Sequence, residues 1–189
     1  MTAFFIIIIG VIIILFAAVI FLYNNLVKLK LRVENNWSQI DIQLQRRFDL
    51  IPNLVETVKG YMTHERETFE KIAELRTSWA GAESVGEKAS LDNQLSEALK
   101  TIMAVSENYP DLKANQNFSE LQEELRNTEN KISFARQFYN DSVTLYNTQL
   151  EVFPSNLIAK MFGAKFTARE LFEAESDEAR KNVKVDFNK

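Results

Sequence analysis

The side chains that most often perform chemistry are scarce in this chain of 189 residues, which has one histidine and no cysteine. His64-Glu65 begins like the zinc motif His-Glu-x-x-His, but Thr68 occupies the place of the second histidine. A di-iron helical bundle requires two Glu-x-x-His pairs, which one histidine cannot supply. We therefore interpret His64 as a surface residue at a helix start. The sequence predicts no catalytic residue, no metal site and no cofactor, in a protein that is not an enzyme.

The charged residues do not favour nucleic-acid binding. The formal net charge is −4, whereas proteins that bind duplexes through phosphates concentrate basic residues on one face. The pair Arg46-Arg47 is too small for this purpose. Acidic pairs such as Glu123-Glu124 fit a solvated helix face better than a metal site. We expect no nucleic-acid partner.

A long apolar segment lies near the start of the chain. Residues 4–23 carry no charge, and sixteen of these twenty are Ile, Leu, Val or Phe. As a helix the segment is about 30 Å long, which matches the hydrocarbon core of a bilayer. A cleaved signal peptide would begin with basic residues, and a helix in a soluble core would show a polar face. The segment has neither feature, so the sequence predicts an uncleaved transmembrane helix with the lipid bilayer as partner.

The residues that follow this segment predict its orientation. No basic side chain precedes the span, whereas Lys28, Lys30 and Arg32 follow it. The positive-inside bias predicts a cell-membrane protein that crosses once, with residues 1–3 outside and the remainder in the cytoplasm. Tyr23 is expected at the membrane–water interface, where aromatic rings accumulate. The basic cluster could attract anionic lipid at about 1 kcal/mol per residue.

Beyond the span, apolar residues recur with helical spacing. Two long patterns with a period of about 3.6 residues predict two long helices, with two shorter helices near 65–80 and 87–108. Short connections imply antiparallel neighbours. The predicted fold class is all-α, with the transmembrane helix continuing into an elongated antiparallel bundle of about four helices. The candidate core positions are Trp37, Phe48, Trp79, Ile132, Tyr139 and Tyr146.

Three prolines mark changes along the helical patterns. Pro52, a further packing candidate, interrupts the first long pattern, so a kink or a restart near Asp49 is expected. Pro110 ends the second short helix and redirects the chain. Pro154 begins a new helix with many apolar residues. These residues either cap one end of the bundle or form a hydrophobic foot on the membrane or on a neighbouring subunit.

The predicted domains are therefore the outer terminus, the span, a bundle over 24–172 and a charged tail over 173–189. In this tail, residues 184–187 alternate like a strand and could add to an exposed sheet edge.

Several stretches occur in the same order as in a known family. They are Tyr23–Val27, Arg32–Asp41, Arg46–Val55, Tyr109–Asn115, Phe118–Gln122, Asn140–Asn147, Phe153–Ala159 and Glu178–Arg180. On these stretches, which cover nearly the whole chain, it resembles the LemA family of bacterial and archaeal membrane proteins. It departs from the family at Val183, where proline is common. The resemblance implies an N-terminal anchor and an elongated helical domain, and it leaves the molecular activity open.

Two hypotheses of function follow. The first is a structural role, in which anchored copies associate as a homo-oligomeric scaffold that organises or shapes the membrane. The second is an adaptor or sensor, in which a membrane-tethered bundle binds another, unidentified envelope or cytoplasmic protein. The first hypothesis makes the bundle face sensitive to substitution, whereas the second makes the C-terminal tail sensitive.

Overall fold

The structure, a computed structural model, describes residues 1–62 and 65–172. Within this part of the chain every regular element is helical and no strand occurs, so the all-α prediction is confirmed. His64, the tail over 173–189 and its strand-like alternation lie outside the described residues. The elements are α1 (Thr2–Lys59), α2 (Arg66–Gly81), α3 (Val85–Ser106), α4 (Pro110–Lys113), α5 (Gln116–Glu151), α6 (Ser155–Met161) and a 3-10 turn (Gly163–Lys165).

The chain divides into two compact units. The first contains Met1–Arg46 and Asn127–Leu171, and the second contains Arg47–Arg126 together with Phe172. The sequence predicts one bundle over 24–172 and shows no linker. No linker is visible in the sequence because α1 and α5 each contribute residues to both units. The boundary between the units falls inside these two helices, at positions without glycine or proline.

Side chains at seven-residue intervals build the core of the first unit. A seven-residue interval returns to nearly the same face of a helix after two turns, so these side chains form one continuous seam. In both α1 and α5 the seam is almost completely closed to solvent. Its members are Leu26, Val33 and Ile40 in α1, and Ile132, Tyr139 and Tyr146 in α5.

Polar and aromatic contacts also join α1 to α5 in the first unit. The Asn36 side-chain amide donates to the Phe138 carbonyl and to the Ser142 hydroxyl, both at 3.0 Å. The Trp37 ring lies 5.6 Å from the Tyr139 ring. Trp37 itself is only partly buried, so it borders the core of this unit.

The second unit has an aromatic core. The rings of Phe48 and Trp79 are stacked, with centroids 4.3 Å apart and an interplanar angle of 16°. Leu54, Leu75 and Leu95 are also buried in this unit. Such stacked pairs add about 0.5–1.5 kcal/mol beyond the area that they bury. This pair therefore fixes α1 against α2 more specifically than aliphatic contacts alone.

Pro52 lies inside α1, which runs to Lys59. Of the two predicted alternatives, a restart near Asp49 is therefore excluded. Proline lacks the N–H that would bond to the carbonyl four residues earlier, here that of Phe48. The buried neighbours Phe48, Ile51 and Leu54 hold this turn helical through packing, which local propensity alone does not anticipate.

Two helix starts in the second unit, those of α3 and α5, carry side-chain caps. At the start of α3 the Ser84 hydroxyl accepts from the Glu87 N–H, and the Glu87 carboxylate accepts from the Ser84 N–H, both at 3.1 Å. This reciprocal pair is a capping box, which satisfies two backbone donors that the helix leaves open. At the start of α5, the Asn115 side-chain oxygen accepts from the Phe118 N–H.

Candidate membrane-interface site

The N-terminal segment of α1 exposes its apolar side chains on all sides. Phe5, Ile14 and Phe21 are 61%, 69% and 72% exposed. None of the most apolar stretch is buried by the described chain, so it is not a core helix of the first unit. A helix of this length and composition is suited to cross a bilayer, in agreement with the span predicted over 4–23.

Tyr23, the last residue of that predicted span, lies in an aromatic cluster. Its ring meets Phe162 and Phe166 edge-on, with centroids 4.9 Å and 5.6 Å away. The Lys165 ammonium lies 4.9 Å from the centre of the Tyr23 ring and also donates to its hydroxyl. The segment after α6 is thereby held at the end of the apolar span.

A short segment without regular secondary structure continues from this cluster along the first unit. The Asn147 side chain pairs with the Arg169 backbone in both directions, donating to its carbonyl and accepting from its N–H, each at 2.9 Å. The Tyr139 hydroxyl donates to the Glu170 carbonyl at 2.8 Å. The Arg169 guanidinium also contacts the Glu34 carboxylate at 3.1 Å. These bonds fix the position of the segment, and with it that of α6.

An exposed apolar surface accompanies the cluster. Phe153, Leu157, Met161 and Phe162, here named the membrane-proximal patch, are 78%, 55%, 63% and 41% exposed. Leu157 and Met161 are four residues apart in α6 and therefore share one face, and Phe153 lies in the turn just before that helix. The other side of α6, formed by Ser155, Ile158 and Ala159, is buried. The helix is thus apolar on both its packed side and its open side.

The predicted basic cluster follows the span on α1. Lys28 and Arg32 are exposed and Lys30 is partly buried. The Lys30 ammonium lies 3.8 Å from the Glu34 carboxylate, one turn further on. Exposed lysine and arginine side chains directly after a span can reach lipid phosphates, because their long apolar stems lie along the helix while their charges stay in water.

The two core tyrosines of the first unit have shifted pKa values. Burial raises the pKa of Tyr139 and of Tyr146, because the ionised phenolate is poorly solvated inside the unit. The positive charge of Arg169 opposes this rise at both residues. Both phenols therefore stay neutral at physiological pH. They serve as packing groups, and Tyr139 also serves as a hydrogen-bond donor.

The structure distributes the predicted residues over both units. Tyr23, Lys28, Lys30, Arg32, Trp37, Ile132, Tyr139 and Tyr146 belong to the first unit, and Phe48, Pro52 and Trp79 belong to the second. The membrane-interface site brings together Tyr23 and the segment held by Tyr139, whereas the second-unit residues form a separate core.

Sequence reasoning missed the residues that attach the C-terminal segment. Lys165 and Asn147 resemble ordinary surface residues, and no pattern in the chain pairs them with Tyr23 or Arg169. Among the described residues, no group of three or more acidic, histidine or cysteine side chains could hold a metal ion. The most developed site is therefore apolar and aromatic and lies beside the span.

Fold and site together define a membrane-associated helical protein whose apolar N-terminal helix adjoins a helical unit. The sequence profile of the LemA family matches residues 36–187. The chain belongs to the LemA family, and the resemblance drawn from its motifs is confirmed.

Three proteins are similar to this chain, and one of them carries the LemA name. The chain is 25% identical over 159 residues to Protein LemA of Metamycoplasma hominis, which covers 82% of this chain and 73% of that protein. It is 24% identical over 175 residues to the magnetosome proteins MamQ 1 and MamQ 2 of Paramagnetospirillum magneticum, which covers 79% of this chain. The chain spans 64% of the length of each MamQ protein.

Proposed function

We propose that the protein is a non-enzymatic, single-pass membrane scaffold whose copies associate side by side to organise or shape the bilayer. The observation that carries this proposal is an exposed apolar face on α5. Phe134, Phe138 and Leu145, here named the α5 stripe, are 65%, 64% and 42% exposed. An exposed apolar face of this kind is typical of a surface that binds another protein.

The spacing of the α5 stripe fits a helix–helix interface. Its members are four and then seven residues apart, which is the spacing of the apolar seam between paired helices. The buried seam of α5, which includes Ile132 and Tyr139, already packs inside the first unit. The stripe is therefore a second apolar face that is available to another copy of the chain.

Anchoring favours this association. From the span to Arg46 the first unit continues α1 without a flexible linker, so copies in one membrane present their α5 stripes in the same orientation. We also propose that the N-terminus faces outward and the helical units face the cytoplasm. The basic residues Lys28, Lys30 and Arg32 after the span support this orientation.

The double variant Phe134→Ser/Phe138→Ser tests the scaffold proposal. We expect the full-length protein in mild detergent to associate at least about tenfold more weakly, because truncating central interface residues costs about 2 kcal/mol or more and 1.4 kcal/mol is tenfold. Analytical ultracentrifugation over a range of concentrations measures the effect. Ser133→Ala/Gln137→Ala, at exposed positions on the same helix, is the matched control. Wild-type protein that stays monomeric at the highest concentration would refute the proposal.

An adaptor that binds another protein is the second candidate, and a groove in the second unit favours it. The groove lies between α1 and α2 and has an apolar floor, and its rim carries both basic residues and the acidic residues Glu56 and Glu70. Photo-crosslinkers placed at Phe69 and at Phe138 in the full-length chain separate the two candidates. Crosslinks between copies at Phe138 support the scaffold, whereas crosslinks to one other protein at Phe69 support the adaptor. The lining includes Pro52, Met62, Phe69, Lys59, Arg66 and Arg76.

A further inference from the structure

We infer that the membrane-proximal patch is a second contact with the bilayer. In this arrangement α6 lies in the membrane–water interface beside the span, and Phe153, Leu157, Met161 and Phe162 enter the boundary between headgroups and acyl chains. The span anchors the chain, and α6 fixes how the first unit is seated on the membrane surface.

The position of the patch carries this inference. Phe162 and Phe166 contact the ring of Tyr23, at the point where the apolar part of α1 gives way to Lys28 and Lys30. Helix α6 has seven residues and is about 10 Å long. Leu157 and Met161 lie in this helix, so both are within about 10 Å along the chain of Phe162, which contacts Tyr23, and this length is comparable to the depth of a headgroup layer. The patch continues the apolar surface of the transmembrane segment.

The two sides of α6 also fit an interfacial helix. Its packed side rests on the first unit through Ile158 and Ala159, while Leu157 and Met161 are more than half exposed on its open side. In water this open side would expose large side chains without compensation. Interfacial helices bury such a face about 5–10 Å into the headgroup and acyl boundary.

Charge complements this placement. Residues 152–168 contain two lysines, Lys160 and Lys165, and no acidic residue. Lysine side chains next to an inserted apolar face extend their ammonium groups to lipid phosphates. Lys28, which follows the span, and Lys160 in α6 are exposed, whereas the Lys165 ammonium contacts Tyr23. Such a surface fits an anionic leaflet better than it fits a protein partner of unknown charge.

Site-directed spin labelling of the full-length protein tests the inference. Because the chain has no cysteine, Leu157→Cys or Met161→Cys provides a single attachment point at an exposed position. The labelled protein is placed in vesicles of equal parts phosphatidylcholine and phosphatidylglycerol, with lipid in large excess so that copies are isolated. We expect the ratio of oxygen to nickel-chelate accessibility to be several-fold higher at both positions than at the exposed control Gln137→Cys.

Two results would overturn the inference. Labels at 157 and 161 that are as accessible to the nickel chelate as the label at 137 would place the patch in water. Labels shielded from both reagents at high protein density, but accessible to the nickel chelate when copies are isolated, would place the patch against a second copy. Lipid insertion predicts the same high ratio at both densities, so this result does not depend on whether the α5 stripe drives self-association. Circular dichroism of each labelled variant verifies that the helices are retained.

Discussion

Arg47 and Asp92 form a buried ion pair in the second unit. The guanidinium nitrogen lies 2.6 Å from the carboxylate oxygen, and the two side chains are 4% and 0% exposed. The sequence analysis considered Arg47 only together with Arg46, as a basic pair too small to bind nucleic acid. The helical spacing did indicate that both residues are buried. Arg47 lies seven residues after Ile40 and Asp92 lies three residues before Leu95, so each shares a helix face with a buried apolar residue. Charge alone suggested a surface location, and only the fold brings the two together.

Removing one partner of this pair is expected to be costly. Asp92→Asn removes the negative charge that Arg47 contacts inside the second unit, so the free energy of unfolding should fall by about 3–5 kcal/mol. Urea unfolding followed by circular dichroism in detergent measures this loss. The control is Glu70→Gln, which breaks the exposed pair between Arg66 and Glu70 and should lower the free energy of unfolding far less, because water screens an exposed pair.

The double variant Arg47→Met/Asp92→Leu tests whether the loss in Asp92→Asn comes from a buried charge that has lost its partner. Replacing both charges with apolar groups of similar size is often neutral or stabilising, so the double variant should be more stable than Asp92→Asn. Equal losses in Asp92→Asn and Glu70→Gln would show that burial does not govern the strength of this pair.

At the scale of elements, the helical patterns predicted most of the fold. The short helices expected near 65–80 and 87–108 are observed as Arg66–Gly81 and Val85–Ser106. Periodicity and caps give such bounds because they are local properties of the chain. The continuity of α1 through Pro52 could not be predicted, because it depends on packing around that turn. The attachment of residues 166–170 to α5 could not be predicted either, because it joins positions that are distant in sequence.

The capping box of α3 yields a prediction at this scale. Ser84→Ala removes the hydroxyl that accepts from the Glu87 N–H and should lower the free energy of unfolding by about 1 kcal/mol. Ser78→Ala, at an exposed position inside α2, is the control. It should be neutral or slightly stabilising, because alanine is the better helix former. Chemical denaturation of both variants checks this, and equal effects would argue against a capping role for Ser84.

The cap also makes a pH-dependent contribution. Hydrogen bonds from the Ser84 and Glu83 backbone N–H groups lower the pKa of Glu87. Its usual value in an unfolded chain is about 4.3. The stabilisation from the Glu87 carboxylate is therefore present above that pH and is lost as the pH falls through the lower folded-state pKa. Denaturation of wild type and Glu87→Gln at pH 7 and near pH 3 should show a difference that shrinks in acid.

At the scale of the whole molecule, the features that matter for function are surfaces. The first unit presents three apolar surfaces: the span, the membrane-proximal patch at the end of the span, and the α5 stripe. The sequence predicted the span because twenty uncharged residues form a signal by themselves. The α5 stripe was not predicted, because Phe134 and Phe138 can be distinguished from core residues only when the buried face of α5 is known.

Electron cryotomography of vesicles that contain the full-length protein tests membrane scaffolding most directly. As the ratio of protein to lipid rises, we expect ordered lateral clusters and a change in vesicle curvature. Both effects should be absent with Phe134→Ser/Phe138→Ser and retained with Ser133→Ala/Gln137→Ala. Single particles scattered at random on vesicles of unchanged curvature, at the highest protein density, would contradict a scaffolding role.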